Sequence, residues 1–330
     1  MKKRRLLQSG KLVSEIGLGC MSFAGFYGPT DEQEAHDTLN AALDWGIDFL
    51  DTANVYGMGL SETMIGNYIK NNGNPFVIAT KASISRDPET QERTFDNSSQ
   101  HLETELNKSL GRLGVDYVDL FYIHRRDPRI PIEDVMETLL KFKKEGKIGG
   151  IGFSEISPSS LRRASEVGLV DAVQSEYSLW TRSAELGLIQ TCQELGVSFI
   201  PFSPLGRGIF SITPPDPSTF GELDFRKNNP RFLQPNFNQN LNLLEPFKQL
   251  CADLNVSPST MAIAWTLNQG EHILPIPGTR SRGHLKELAL GSQFNLTKEI
   301  SGQIDRFLPI GWAHGERYSD VQWVGIEKFC

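Results

Sequence analysis

Four side chains that can move or hold a proton lie at the ends of neighbouring strand-like segments. Asp51 and Tyr56 lie in "DTANVYG", directly after the apolar run "GIDFL". Lys81 ends "PFVIATK", and His124 ends "DYVDLFYIH". No serine or cysteine stands beside a base, and neither paired acids nor HxxxH spacing offers a metal site. Proton transfer is therefore the chemistry that this set of residues favours.

A tyrosine beside a lysine predicts proton donation to a developing alkoxide. The ordinary pKa of tyrosine is near 10, and a lysine cation at about 4 Å favours the tyrosinate by up to about 4 kcal/mol at an effective dielectric constant near 20. We expect Asp51 to keep Lys81 charged, and His124 to orient the substrate oxygen. Such a site supplies a proton but no hydride, so a carbonyl reduction there needs a cofactor.

Each of these residues also has a purely structural explanation. Asp51 could cap a turn, Lys81 could extend to water, and His124 and Tyr56 could be ordinary strand-end and loop residues. Their positions on three consecutive strands favour a single site instead, because adjacent strands of a sheet lie roughly 5 Å apart.

Strand and helix patterns alternate along most of the chain. After a hairpin within residues 1–14, eight strand-like segments are each followed by a helical segment; Thr30 is the expected cap of the first helix, and 272–278 is the last strand. The pattern predicts an α/β fold, a (β/α)8 TIM barrel with its site at the carboxyl ends of the strands. The alternative, an open doubly wound sheet, requires a glycine fingerprint that "GLGCMSFAG" (17–25) does not complete.

The whole chain, residues 1–330, is expected to form one domain. Residues 205–240 lack periodicity and are rich in proline and asparagine, which predicts a long binding loop. The following helix is predicted over 241–255. The tail, residues 297–330, is expected to pack over the barrel.

Composition excludes several classes of protein. A net charge of −7 and a pI near 5.5 argue against a general nucleic-acid binder. The absence of a run of 18 apolar residues predicts no membrane span, and the basic N-terminus lacks the apolar region of a signal peptide. The four cysteines are scattered without metal-ligand spacing, which fits a reducing compartment. We therefore expect a cytoplasmic protein without a metal; its oligomeric state stays open.

Other strand ends supply groups suited to a nicotinamide cofactor. Ser154, Glu155 and Gln174 can hydrogen-bond a carboxamide, and Phe202 offers a flat face for a ring. "SPLGRG" (203–208) suits a pyrophosphate, and "IPGTRSRGHLKE" (276–287) opens a helix where a further phosphate is stabilised. Taken alone, Phe202 is equally well explained by core packing, and the arginines of 276–287 by a solvated surface.

The chain resembles the aldo-keto reductases across nearly its whole length. The motifs "DTANVYG", "VIATK", "DLFYIHRRD", "EGKIGGIGFSE", "VQSEYSLWTR", "FSPLGRG" and "IPGTR" occur in order. The combination of "EYSLWTR" and "SPLGRG" resembles the motifs of the branch of the family that includes pyridoxal reductase-like and perakine reductase-like members. The resemblance implies NADPH-dependent reduction of an aldehyde or ketone on a (β/α)8 barrel, with Asp51, Tyr56, Lys81 and His124 as catalytic tetrad and Tyr56 as proton donor.

The resemblance also implies binding residues. Those for NADPH are Gly19, Cys20, Met21, Asp51, Ser154, Glu155, Gln174, Phe202, Ser203, Pro204, Leu205, Gly206, Arg207, Gly208, Ile276, Gly278, Thr279, Arg280, His284 and Glu287. The residues implied to contact the adenosine 2′-phosphate are Thr279 and Arg280, with Arg282 or His284. The residue implied to contact the adenine is Glu287. Those for the carbonyl substrate are Phe23, Tyr56, Met58, His124, Arg125 and Trp180, with Phe26 and Tyr27 as further candidates.

Three positions depart from the family pattern. Glu155 stands where many members have asparagine, and a carboxylate cannot donate to a carboxamide as an amide does. Phe202 stands where many have tyrosine, which keeps the stacking face but removes the hydroxyl. Leu288 stands where many have asparagine, and it cannot hydrogen-bond adenine, which weakens cofactor binding or relaxes the preference for NADP.

Two other functions remain open from the sequence. One is a regulatory subunit that senses NADP with slow or no turnover; the other is a phosphate-binding isomerase or lyase that uses Lys81 as a Schiff base. A short-chain dehydrogenase is disfavoured, because Tyr-x-x-x-Lys does not occur. The substrate pocket is mostly aromatic and apolar with one cation, Arg125, which suits aromatic or medium-chain aldehydes and does not exclude pyridoxal.

Overall fold

The computed structural model describes residues 1–86, 92–222 and 224–328. Its first element is an antiparallel hairpin of β1 (Lys3–Arg5) and β2 (Leu12–Ser14). Gly10 lies in the turn with a φ of +95°, a conformation that glycine adopts without steric cost. The hairpin predicted within residues 1–14 is confirmed.

The barrel is a parallel sheet with one extra hairpin inserted between two of its strands. In chain order the remaining strands are β3 (Leu18–Gly19), β4 (Phe49–Asp51), β5 (Val77–Ala82), β6 (Ile84–Arg86), β7 (Arg93–Phe95), β8 (Val118–Ile123), β9 (Ile148–Ser154), β10 (Ala172–Glu176) and β11 (Ser198–Phe202). The sheet order is β3–β4–β5–β8–β9–β10–β11, and every pairing in it is parallel. The strands β6 and β7 pair with each other as an antiparallel hairpin that the sequence did not predict.

Residues 272–278, predicted as the eighth strand, lie where the ring closes between β11 and β3. Ile273 bridges to Phe199 of β11, and Gly278 bridges to Gly19 of β3, both in parallel orientation. Within 272–278 these are isolated bridges and not a continuous strand. The predicted (β/α)8 barrel is confirmed, with seven regular strands in the described residues and a closing segment in the eighth place.

Prolines explain why the closing segment is irregular. Leu274 donates its N–H to a carbonyl of β11 at 2.9 Å, as a regular strand would. On the opposite side, Pro275 and Pro277 only accept, from the N–H groups of Gly17 at 2.9 Å and Gly19 at 3.0 Å. Because proline has no N–H, the joint with β3 lacks the return hydrogen bonds of a parallel ladder.

Helices follow the barrel strands as the alternating pattern predicts. They are α1 (Glu32–Asp44), α2 (Leu60–Asn72), α3 (Ser99–Leu113), α4 (Ile132–Lys144), α5 (Pro158–Val167), α6 (Leu188–Leu195), α7 (Asn236–Asp253), α8 (Pro258–Leu267), α9 (Arg282–Gly291), α10 (Lys298–Phe307) and α11 (Asp320–Trp323). The cap of α1 is Asp31, whose carboxylate accepts from the N–H of Glu34 at 2.8 Å. The expectation that Thr30 caps this helix was wrong, because Asp31 is the extended residue directly before it.

The long loop and the tail carry more regular structure than predicted. Within 205–240, short 3-10 turns form at Gly206–Gly208, Pro217–Thr219 and Pro230–Phe232. Helix α7 begins at Asn236 and not at residue 241, so the asparagine-rich end of the predicted loop is helical. The tail contains α10 and α11.

The hairpin closes the amino end of the barrel. Leu6, Leu7 and Val13 pack in one buried cluster with barrel residues such as Phe49 and Leu120. Burial of each such side chain stabilises the fold by roughly 1.5–3 kcal/mol. No helix in the described ranges is both long enough and apolar enough to cross a membrane.

Candidate functional site

Neighbouring strands bring the four proton-handling residues together at the carboxyl end of the barrel. Asp51 is the last residue of β4, Lys81 lies near the end of β5, and His124 directly follows β8. The register pairs Asp51 with Ala79 and places Lys81 beside β8. Tyr56 lies in the loop between β4 and α2. The convergence expected from strand order is therefore present.

The carboxylate of Asp51 and the ammonium group of Lys81 form a buried ion pair. Lys81 has no exposed surface and donates to Asp51 and to the carbonyl of Thr52, the latter at 2.7 Å. Gln174 donates to the second carboxylate oxygen of Asp51 at 2.8 Å. Burial alone lowers the pKa of Lys81, but Asp51 and Tyr56 raise it above its ordinary value. Lys81 is therefore a cation at neutral pH.

The Tyr56 hydroxyl lies 3.5 Å from Nζ of Lys81, and the same ammonium group is 5.1 Å from the centre of the phenol ring. Burial raises the pKa of Tyr56 above 10, and Lys81 offsets only part of this rise. The expectation that Lys81 makes Tyr56 more acidic than an ordinary tyrosine was wrong for this structure, because loss of solvent outweighs the cation. Tyr56 is thus protonated at neutral pH. We name Asp51, Tyr56, Lys81 and Gln174 the tyrosine cluster.

His124 lies beside the phenol with its ring nearly perpendicular, at 5.9 Å between ring centres. Burial holds the pKa of His124 well below 6.5, and the cations Arg125, Lys81 and Arg93 lower it further. The imidazole is therefore neutral at neutral pH and has one N–H to donate. Its Nδ1 is buried and has no hydrogen-bond partner among the described residues.

A cleft of about 1610 Å³ opens at the carboxyl ends of the strands. Pockets for drug-sized ligands are roughly 300–1,000 Å³, so this cleft has room for a dinucleotide and a small substrate together. The residues predicted for the cofactor that line it are Gly19, Met21, Asp51, Ser154, Gln174, Phe202, Ser203, Pro204, Leu205, Arg207, Gly208, Ile276, Gly278, Thr279, Arg280, His284 and Glu287. Those predicted for the substrate that line it are Tyr56, Met58, His124 and Arg125.

Six residues predicted for the site do not line the cleft. Cys20 and Phe23 are fully buried in the hydrophobic core. Trp180 is buried against the rings of Phe232 and Trp312, at 5.4 and 6.3 Å between ring centres. The other three are Gly206, Glu155 and Arg282. The structure therefore places the aromatic wall of the substrate end elsewhere, and Phe26 and Tyr27 do line it.

Glu155 points into a buried cluster of charges shared with the tail. Arg317 donates to it at 2.5 Å, and Ser175 and the N–H of Glu176 donate to it at 2.9 Å. Burial would raise the pKa of Glu155, but Arg317 outweighs this and lowers it to about 2. The predicted contact of Glu155 with a nicotinamide competes with these bonds, because Arg317 already holds the carboxylate.

Arg207, predicted for a pyrophosphate, belongs to the same cluster. Its guanidinium group donates to Glu176 at 2.8 Å and to the carbonyl of Arg317 at 2.8 Å. Arg317 also approaches Glu176, at 3.4 Å, and Thr181 donates to this glutamate at 3.1 Å. We name Glu155, Glu176, Arg207 and Arg317 the tail cluster. It ties the loop after β11 to the tail.

Arg280, predicted for a 2′-phosphate, bridges the two sides of the cleft. Its Nη1 donates to the carbonyls of Tyr27 and Gly28, each at 3.0 Å. The neighbouring Arg282 and His284 at the start of α9 are exposed. The segment that follows the closing segment therefore places Arg280 in the cleft wall and Arg282 on the exposed surface beside it.

Sequence reasoning missed two contributions to this site. The hairpin β6–β7 adds Ile84 and Arg93 to the cleft lining, and strands of three residues are too short to show an alternating pattern. The tail adds Tyr318 to the lining and Arg317 to the tail cluster. Neither tail residue carries a motif; the only signal was that aromatic residues are frequent in 297–330.

Within residues 1–86, 92–222 and 224–328, no three histidine, cysteine or acidic side chains lie close enough to hold a metal ion together.

The fold and the site geometry agree with comparisons to known proteins. The model of the aldo/keto reductase family matches residues 15–309. The chain therefore belongs to the aldo/keto reductase family.

Relatives of the chain span most of its length. Aldo-keto reductase yakc of Schizosaccharomyces pombe, whose name specifies NADP(+), is 39% identical over 280 residues, covering 83% of this chain and 82% of that protein. Probable aldo-keto reductase 1 of Glycine max is 36% identical over 330 residues, covering 98% and 93%. The solved glycerol dehydrogenase of Gluconobacter oxydans has a TM-score of 0.84 at 28% identity, covering 93% of this chain and 94% of that one.

Proposed function

We propose that the protein reduces an aldehyde or ketone to an alcohol with NADPH. One observation carries the proposal: a protonated Tyr56 lies 3.5 Å from the charged Lys81 and beside a neutral His124, in a cleft large enough for a dinucleotide. A weak acid, a nearby cation and a neutral hydrogen-bond donor are what a carbonyl oxygen needs while it becomes an alcohol oxygen.

The lining of the cleft fits a nicotinamide dinucleotide. Near the tyrosine cluster, Ser154 and Gln174 would hold the carboxamide, and Phe202 would stack on the ring. At the start of α9, His284 lines the cleft and would hold a phosphate together with the exposed Arg282, where the helix dipole also favours negative charge. The name of the yeast relative, which specifies NADP(+), supports NADP over NAD.

The tetrad then divides the work. When bound, the reduced nicotinamide supplies the hydride that reaches the carbonyl carbon. Tyr56 gives its proton to the carbonyl oxygen, and Lys81 stabilises the tyrosinate left behind. Asp51 keeps Lys81 charged and fixed, and His124 donates a hydrogen bond that orients the carbonyl oxygen. One hydride and one proton convert the carbonyl group to the alcohol.

The cellular setting is part of the same proposal. The described cysteines, Cys20, Cys192 and Cys251, are buried and unpaired, which supports the expected reducing compartment, the cytoplasm. We treat the chain as one barrel domain that acts on a small carbonyl compound, because the hairpin, loop and tail all pack against the same barrel.

A Tyr56→Phe variant tests the proposed function. It removes the proton donor and keeps the ring, so kcat for NADPH oxidation with an aldehyde should fall by about 10²–10⁴, while NADPH binding measured by fluorescence titration stays near the wild-type value. Tyr68→Phe is the matched control, because its hydroxyl bonds Asn40 on the outer helices. Near-normal turnover of Tyr56→Phe would refute the role of the tyrosine.

Stopped-flow measurements separate this proposal from the alternatives. Tight NADPH binding with negligible hydride transfer in the wild-type protein would support the sensor instead. The Schiff-base reading is disfavoured, because Lys81 is buried, charged and paired with Asp51, whereas a Schiff-base amine must be neutral to attack. Borohydride trapping of a carbonyl compound on Lys81 would support the Schiff-base mechanism instead.

A further inference from the structure

The side chain of Arg125 is a buried cation next to the reacting end of the cleft. It directly follows His124, lines the cleft, and is 8% exposed. Its Nη1 donates to the carbonyl of His124 at 2.7 Å and to the hydroxyl of Ser154 at 3.1 Å. Its Nε is buried and has no hydrogen-bond partner in the described ranges.

The carboxylates close to Arg125 are already committed to other cations. Asp51 is paired with Lys81. Glu155 feels the charge of Arg125 but is held by Arg317 at 2.5 Å. No described carboxylate lies within ion-pair distance, 4.0 Å, of the Arg125 guanidinium group. Among the described residues, the reacting end of the cleft therefore holds a positive charge without a carboxylate counter-ion.

A buried guanidinium group without a counter-ion is expensive. Moving a cation out of water is unfavourable unless an opposite charge or hydrogen bonds compensate the lost hydration. The planar guanidinium group matches a carboxylate or phosphate in a two-pronged geometry, and such charge-assisted bonds are roughly twice as strong as neutral ones. A negatively charged ligand would supply the missing partner.

We propose that Arg125 binds an anionic group of the carbonyl substrate, so that the preferred substrates are aldehydes or ketones with a carboxylate or phosphate close to the carbonyl carbon. This inference rests on the proposed reduction and names its substrate class. Arg125 adjoins His124 in the chain and acts electrostatically on Tyr56 as well. A substrate whose oxygen lies at these two residues therefore has Arg125 within a short spacer of its carbonyl group.

The test compares substrates that differ in charge but little in shape. The ratio of kcat/KM for 4-formylbenzoate to that for neutral 4-formylbenzamide should be about 10–100 in the wild-type protein, as expected for a hydrogen bond to a charged group. Arg125→Met should bring this ratio close to one, and Arg125→Lys should retain part of it. The 2- and 3-formyl isomers report the spacing, and glyceraldehyde 3-phosphate against glyceraldehyde distinguishes phosphate from carboxylate.

A purely positioning role for Arg125 gives a different result. If Arg125 only holds Ser154 and the backbone of His124, Arg125→Met lowers kcat/KM for both benzaldehydes equally and leaves the ratio unchanged, which overturns the inference. A wild-type ratio near one overturns it without any variant. Arg226→Met is the matched control: this arginine also lines the cleft but is paired with Asp224 at 2.7 Å, so the ratio should not change.

A binding measurement separates failure of this inference from failure of the proposed function. Calorimetric titration of benzoate into the protein needs no turnover and should give binding that Arg125→Met weakens about tenfold or more. If neither benzaldehyde is reduced, the proposed function fails, and benzoate binding alone decides the anion site. Equal binding of benzoate by wild type and Arg125→Met would refute that site.

Discussion

Two buried clusters of charge flank the cleft, and they differ in how completely their hydrogen bonds are satisfied. In the tail cluster, both oxygens of Glu155 and both oxygens of Glu176 accept bonds from donors within the protein. In the tyrosine cluster, the Tyr56 hydroxyl makes a long contact of 3.5 Å to Lys81, and Nδ1 of the adjacent His124 is buried without a hydrogen-bond partner in the part of the chain that the structure describes.

This difference distinguishes charged groups that stabilise the fold from charged groups that take part in the reaction. A fully satisfied buried network fixes the geometry of its surroundings and is costly to disturb. A partly satisfied network keeps donors for a group that arrives from outside. The tail cluster is therefore assigned to holding the cleft together, and the tyrosine cluster to the reaction.

Among substitutions that test the difference between the two clusters, Lys81→Met is expected to have the largest effect on turnover and stability. The change leaves Asp51 buried without its cation and Tyr56 without its stabilising charge. Turnover should fall by about 10²–10⁴, and the free energy of unfolding by about 3–5 kcal/mol. Single-turnover kinetics and urea denaturation measure the two quantities.

A second substitution separates the two losses. Asp51→Asn combined with Lys81→Met removes both charges, so it should recover much of the lost stability and none of the turnover. Recovered turnover in the double variant would show that Tyr56 needs no cation, and the distinction between the clusters would fail.

The next effect is expected in the tail cluster. Arg317→Met leaves Glu155 buried without its main cation, so the free energy of unfolding should fall by about 3–5 kcal/mol. Adding Glu155→Gln should restore part of it. In the folded fraction, kcat should change much less than in Lys81→Met, because Arg317 does not contact the tetrad. A kcat loss as large as that of Lys81→Met would contradict the structural assignment.

Acid should weaken the tail cluster within a defined window. The folded-state pKa of Glu155 is about 2, below the ordinary value of 4.5. Its ion pair therefore contributes full stability above pH 4.5, and this contribution, about 3 kcal/mol, is lost as pH falls from 4.5 to 2. Urea midpoints of wild type and Glu155→Gln should converge across this window. Parallel curves would mean that Glu155 does not titrate as the structure requires.

The smallest effect is expected for an exposed pair with equally good geometry. Arg163 donates twice to Glu133, at 2.8 Å each, on the outer surface of α4 and α5. Arg163→Met should leave the urea midpoint nearly unchanged, since solvent already screens this pair. A shift as large as that of Arg317→Met would show that burial is not what distinguishes the tail cluster.

Strand order made much of the site predictable. The alternating pattern fixed which segments become neighbouring strands, so the meeting of Asp51, Lys81 and His124 followed from their positions at strand ends. The segments around 203–208 and 276–287 line the cleft for the same reason. The hairpin and the barrel also followed from local signals.

Burial and long-range pairing were not predictable in this way. Glu155 and Arg317 are 162 positions apart, and no local pattern links them. The balance at Tyr56 between loss of solvent and the cation of Lys81 depends on how deeply the loop packs, which residue types do not encode. The prolines of 272–278 are evident in the sequence. Which ladder hydrogen bonds they remove, however, depends on which neighbouring strand each proline nitrogen faces.

That closing segment has a consequence for how the ring moves. A barrel opens first between the pair of strands that shares the fewest hydrogen bonds. Between the closing segment and β3, Pro275 and Pro277 accept hydrogen bonds but donate none. Deuterium should therefore replace the amide protons of Gly17 and Gly19 sooner than those shared by β5, β8 and β9. Opening of this joint would strain the hydrogen bonds by which Arg280 holds the carbonyls of Tyr27 and Gly28, so the cleft wall beside it is expected to be the most easily displaced.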